Sequence, residues 1–170
     1  VENLFRFLLA EKNGFIFESV EKGKIRGRYT IMGLNPDKIW DVNNNIITIN
    51  TLGKKIKIKS NPLIYINKLI KEFDIKIPKN LPSMSSMLVG YFSYDAVRFV
   101  EPTIGATPGI DGIKTPDILL MLSEEVVVFD NLKGTISFII NVDSEKVENY
   151  KVAQTRLDEL QEMLKCPSPL

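Results

Sequence analysis

The sequence predicts an α+β protein: a mixed, largely antiparallel sheet built from hairpins and meanders, with helices packed on it. Three observations carry this. Short apolar runs with two-residue alternation are separated by Asn- and Gly-bearing turns, the signature of strands joined locally. Two stretches, 62–73 and the 144–164 tail, show apolar residues at spacings of three and four. The strand groups are not separated by regularly alternating helices, which argues against a doubly wound parallel sheet.

The elements follow in order. Residues 3–12 form a short helix, with Leu4, Phe5, Leu8 and Leu9 on one side, ended by Asn13-Gly14. Phe15-Ile16-Phe17 is a buried strand, and Arg28–Met32 is a second, beyond the polar turn Glu21-Lys22-Gly23-Lys24. A meander follows: strand 38–42, a turn at Asn43-Asn44-Asn45, strand 46–50, a turn at Leu52-Gly53, and strand 55–59. Asn suits such turns because it tolerates left-handed backbone angles. In the last strand Ile56 and Ile58 face one way and Lys55, Lys57 and Lys59 the other. With no aromatic residue interleaved for base stacking, this lysine row reads as the wet face of a sheet rather than a phosphate track.

Asn61 caps a helix over 62–73 that opens on Pro62, a residue whose missing N–H costs nothing at a first turn. Lys76–Ser86 is a loop, Met87–Phe92 a strand containing Gly90, and Tyr94–Phe99 one helical turn. Residues 102–116 form an irregular Pro- and Gly-rich loop. Strands are expected at 118–122, 125–129 and 135–142, with a turn at 130–134. The tail is a helix capped by Ser144, with Val147, Tyr150, Leu157, Leu160 and Leu164 as its apolar stripe. The 170 residues read as a single domain, without a clean internal boundary, a repeat or a low-complexity tract.

Composition excludes several function classes. Net charge is +1, with 22 basic and 21 acidic residues, so no concentrated positive field marks nucleic acid or an anionic membrane as partner. There is no His, which removes His-based triads, His-ligated zinc and imidazole proton transfer. One cysteine, Cys166, can make neither an internal disulfide nor a structural zinc site, which fits a reducing compartment. No apolar run is long enough for a membrane helix. Val1-Glu2-Asn3 lacks a secretory leader's basic-then-apolar layout, so a cytoplasmic location is expected. Gly105, Gly109 and Gly112 do not fit a phosphate-loop spacing. Glu124-Glu125 reads as a solvated pair ahead of a strand, and no self-sufficient catalytic site emerges.

Two stretches stand out. Glu18, Ser19 and Arg28 bring a carboxylate, a hydroxyl and a guanidinium to two neighbouring strands. Such a set can hold a zwitterion: carboxylate to ammonium, forked guanidinium to carboxylate, hydroxyl to a remaining hydrogen bond. A surface ion pair beside a strand end is the plainer alternative. The second stretch is Gly90-Tyr91-Phe92-Ser93-Tyr94-Asp95-Ala96-Val97-Arg98. Gly90 permits close backbone approach, Tyr91 and Tyr94 offer apolar bodies with polar tips, and Asp95 and Arg98 are spaced to pair on one turn. It reads as a structural corner.

Together these stretches bring a family into view. Phe17-Glu18-Ser19-Val20-Glu21, then Gly27-Arg28-Tyr29-Thr30-Ile31-Met32-Gly33, then the Gly90–Arg98 segment, then Pro116-Asp117-Ile118 and Val127-Val128-Phe129-Asp130-Asn131, resemble in order and separation the N-terminal region of anthranilate synthase component I. The resemblance implies a part of a cytoplasmic, chorismate-utilising lyase of tryptophan biosynthesis, inactive as an isolated fragment. It implies L-tryptophan as feedback effector, held by Glu18, Ser19 and, less directly, Arg28. It also implies a C-terminal chorismate-binding region and a glutamine amidotransferase subunit (component II) as partners. No cofactor is implied on this part, and Mg²⁺ in the full-length enzyme. No catalytic residue carries over, because no position matches one. Aminodeoxychorismate synthase component I and a free-standing amino-acid-binding module stay open as alternatives.

Overall fold

The computed structural model describes residues 13–18, 27–51, 53–73, 75–105, 115–142 and 147–165. The expected helix at 3–12, Ser19, the turn at 21–24, Ser144 and Cys166 lie outside the described residues.

Among the described residues, seven strands form one sheet: β1 (Gly14–Glu18), β2 (Tyr29–Asn43), β3 (Ile46–Thr51), β4 (Lys54–Lys59), β5 (Leu88–Phe92), β6 (Ile118–Asp130) and β7 (Thr135–Ile140). The order is β4-β3-β2-β6-β5, with β1 also on β2 and β7 also on β6. The pairs β1–β2, β2–β3, β3–β4, β5–β6 and β6–β7 are antiparallel. Helix α1 (Pro62–Glu72) and helix α2 (Val147–Lys165) complete the set, with short 3₁₀ helices at Tyr94–Phe99 and Pro102–Ile104. The α+β expectation therefore holds.

Two boundaries are corrected. The strands expected at 28–32 and 38–42 are one strand, β2, and those at 118–122 and 125–129 are one strand, β6. Each long strand changes partner part-way. β2 leaves β1 after Leu34 and joins β3 from Lys38. Between them sit Asn35, at φ 42, and Pro36, which has no N–H to offer a ladder. β6 leaves β5 after Leu122 and joins β7 from Glu125, with Ser123-Glu124 at the change. Polar residues at a partner change imitate a turn in the sequence.

The chain divides into two compact units. The first holds residues up to Pro36, Ile77–Met87 and Ser123 onward; the second holds Asp37–Lys76 and Leu88–Leu122. In the first, side chains alternate across the sheet. Met32, Leu34, Val127 and Phe129 bury with Leu160 of α2, while Val126, Val128 and Ile139 bury with Tyr29 and Ile31 packed against them. The buried face of α2 is Ala153 and Leu160, with Met163 against it. Tyr150, at 61% exposed, and Leu164 lie off it, a correction to the expected stripe. The shift has a cause. Arg156 sits three residues beyond Ala153 on the sheet-facing side, and its charge masks the phase of the helix.

In the second unit Trp40, Val42, Ile47, Ile66, Leu69, Ala96, Ile118 and Leu120 form the core, and the Phe73 ring meets Trp40 edge-on at 6.4 Å. α1 begins as expected: Asn61 Oδ1 accepts from the N–H of Leu63 at 3.0 Å and of Ile64 at 3.2 Å. Asn44, at φ 53, makes the β2–β3 turn. Lys55, Lys57 and Lys59 are exposed, but so is Ile56, because β4 ends the strand order and its second edge has no neighbour among the described strands.

Candidate functional site

The corner containing Glu18 and Arg28 lies in the first unit. β1 runs antiparallel to β2, and Glu18, its last residue, stands opposite Thr30, two positions along from Arg28. Glu18 is exposed and Thr30 buried. Gly27, at φ 80, turns the chain into Arg28, a backbone angle that favours glycine. The Arg28 guanidinium lies over the Tyr29 ring, 4.8 Å from its centre.

Arg28 makes a two-point contact with Asp130 at the end of β6: Nε donates to Oδ1 at 3.0 Å and Nη2 to Oδ2 at 2.7 Å. The sequence reading assigns that fork to a ligand's carboxylate; in the structure Asp130 holds it. The contact pushes the Arg28 pKa up, against the opposing effect of burial. It holds the Asp130 carboxyl down at about 2, through the Arg28 hydrogen bonds first, with burial opposing and the Lys133 and Leu132 N–H groups assisting. Next in the chain, the Asn131 N–H donates to the Arg28 carbonyl at 2.7 Å. The Asn131 amide donates to the Gly27 carbonyl at 3.3 Å and to Thr30 Oγ1 at 3.4 Å. The sequence places Asp130 and Asn131 at a turn and within the Val127–Asn131 stretch that carries the family resemblance, and assigns neither a partner. Nothing local reveals their partners, which lie about a hundred residues away.

The Gly90–Arg98 segment lies in the second unit, as a structural corner. A Cβ on Gly90 would meet the Leu119 carbonyl oxygen at 1.8 Å, so the expected close backbone approach is real. Arg98 donates from Nε and Nη2 to Asp95 Oδ1, at 3.2 and 3.0 Å, and from Nη1 to the Gly105 carbonyl at 2.8 Å. Tyr94 is almost fully exposed and Tyr91 is partly so. Burial, followed by the charges of Asp41 and Asp117, pushes the Tyr91 hydroxyl pKa up. Asp117 is a tie the sequence reading missed. Its N–H donates to the Val42 carbonyl at 2.8 Å, its carbonyl accepts from the Ser93 N–H at 2.8 Å, and its Oδ2 accepts from the Asn44 N–H at 2.6 Å.

Glu125 corrects the reading of Glu124-Glu125 as a solvated pair. It lies within β6, and both its oxygens accept from Arg156. Among the described residues no three Cys, Asp or Glu side chains converge as a metal site. No helix of the described residues is long and apolar enough to cross a membrane.

Taken together, an α+β sheet protein with an acid–base corner at one strand end is the class this geometry defines. No family model matches the sequence. Curated relatives do. The chain is 37% identical over 175 residues to anthranilate synthase component 1 of Acinetobacter calcoaceticus, covering 99% of this chain and 35% of that protein. It is 37% identical over 157 residues to the component 1 of Pseudomonas aeruginosa, covering 91% and 32%. The crystal structure of anthranilate synthase component I from Streptococcus pneumoniae superposes with a TM-score of 0.66 at 27% identity, covering 91% of this chain and 32% of that one. The chain is thus a homologue of anthranilate synthase component I, and it spans about a third of the length of the curated relatives it matches.

Proposed function

We propose that this chain is the N-terminal, tryptophan-sensing part of anthranilate synthase component I. In this reading the whole enzyme adds ammonia to chorismate and eliminates pyruvate to give anthranilate. A glutamine amidotransferase subunit delivers the ammonia. A C-terminal region, with Mg²⁺, carries the chemistry, and the isolated 170 residues have no turnover. The observation that carries the reading is the 37% identity running over 99% of the chain.

The corner supports an effector role by its chemistry. The exposed Glu18 carboxylate suits an ammonium group, and the Ser19 hydroxyl suits one further hydrogen bond. Arg28, two positions before the Thr30 that stands opposite Glu18, supplies positive charge, although its fork rests on Asp130. A ligand shifts an enzyme between two states only by its differential affinity for them. The effector must therefore touch a second surface besides this corner, and the fragment alone binds it weakly.

Calorimetric titration of L-tryptophan into the fragment and into the full-length enzyme tests this. The full-length enzyme should bind, and Glu18→Ala or Ser19→Ala should relieve inhibition. Inhibition unchanged in both variants refutes the site, and turnover by the purified fragment refutes the division of labour.

A further inference from the structure

We propose that the Asp130–Asn131 turn is the positioning element of the effector corner, setting where the Arg28 guanidinium stands and fixing the Gly27–Thr30 segment around it. This rests on the effector reading given under Proposed function. The turn is built before Arg28 is considered. Asp130 Oδ1 accepts from the N–H groups of Leu132 and Lys133, both at 3.1 Å, and Gly134 closes it at φ 63. The carboxylate is therefore held by its own backbone, and it is the more buried partner: its side chain is 11% exposed against 32% for Arg28. Arg28 docks on a fixed anchor.

The grip extends beyond that pair. Asn131 holds the Arg28 carbonyl through its N–H, and the Gly27 carbonyl and Thr30 hydroxyl through its amide. Thr30 is the residue opposite Glu18. Side chains of one turn thus fix the register of the strand start that bears the cation and faces the acid. Asp130 engages two of a guanidinium's five N–H donors. Among the described residues no other group takes its remaining N–H donors, and the group so held offers them to a second carboxylate, such as that of an amino acid, without any search through rotamers. Pre-ordering of this kind raises affinity because the ordering entropy is not charged to binding. Asp130 touches no effector in this proposal; it acts through Arg28.

The test compares L-tryptophan inhibition and melting temperature in the full-length enzyme for Glu18→Ala, Asp130→Asn, Asp130→Glu, Arg28→Ala and Arg28→Ala with Asp130→Asn. Asp130→Asn keeps an oxygen for the Leu132 and Lys133 N–H groups but loses the charge that holds the guanidinium, and should raise the half-inhibitory concentration about tenfold or more, within the usual range of allosteric coupling. Asp130→Glu should recover part of it. In the Arg28→Ala background Asp130→Asn should raise it no further, because Asp130 acts through Arg28. A merely structural turn would add the same rise in both backgrounds, and that result overturns the proposal. So does Asp130→Asn with parental inhibition. If Glu18→Ala still relieves inhibition in that case, the effector corner stands and only the positioning role falls. If Glu18→Ala also changes nothing, the effector reading itself is wrong.

Discussion

Arg156 on α2 grips Glu125 on β6 at two points, Nε to Oε1 at 2.8 Å and Nη2 to Oε2 at 3.2 Å, and adds Glu159 on its own helix at 2.9 Å. The pair is mostly sheltered, with side chains 25% and 17% exposed. Its hydrogen bonds to Glu125 are the main reason the Arg156 pKa is pushed up. Removing one partner strands the other in a poorly hydrated place. Glu125→Ala or Arg156→Ala is therefore expected to lower stability by about 1.5–3 kcal/mol, while Glu125→Ala with Arg156→Ala loses less than the two single changes added. Urea unfolding of the three variants checks this.

Asp130 sets an acid limit. Its carboxyl is held at about 2 in the folded chain, below its ordinary 3.8. A depressed carboxyl contributes stability that is fully present above the unfolded value and is lost as pH falls from about 4 toward 2. Asp130→Asn has no such carboxyl to protonate. Its melting temperature should fall less steeply than the parent's between pH 4 and pH 2, although it starts lower at pH 6. Parallel curves over that interval count against the pairing of Asp130 with Arg28.

Gly90 admits no side chain. The atom that a Cβ would strike is the Leu119 backbone oxygen, in the paired strand β6, and backbone cannot swing aside as a side-chain tip can. Gly90→Ala should destabilise by about 1–3 kcal/mol through displacement of β5. The emission of Trp40, the single tryptophan, buried in the same unit, reports the loss during denaturant unfolding.

Asp95 and Arg98 differ in what they hold. Among the described residues Asp95 pairs with Arg98 alone, in a pair 39% and 21% exposed, so Asp95→Ala should lower stability by no more than about 1 kcal/mol. Arg98 also donates to the Gly105 carbonyl, and Arg98→Ala should lower it further. Equal melting temperatures for the two variants would show that the Gly105 contact contributes nothing.

The sequence alone determined the local elements of this protein. The β2–β3 turn follows from Asn44, able to adopt φ 53, and the start of α1 from Asn61-Pro62, because cap and turn energies act within four residues. Gly90's close approach and the Asp95–Arg98 pair were legible for the same reason. Tertiary structure decided what depends on distant partners. β2 and β6 run unbroken because each acquires a second neighbour where its sequence imitates a turn. The phase of α2 follows from Arg156 meeting Glu125, 31 residues earlier, and the hold on Arg28 from Asp130, 102 residues later. Charge pairing across such separations leaves no periodic trace in the chain; only the folded sheet brings the strand ends together.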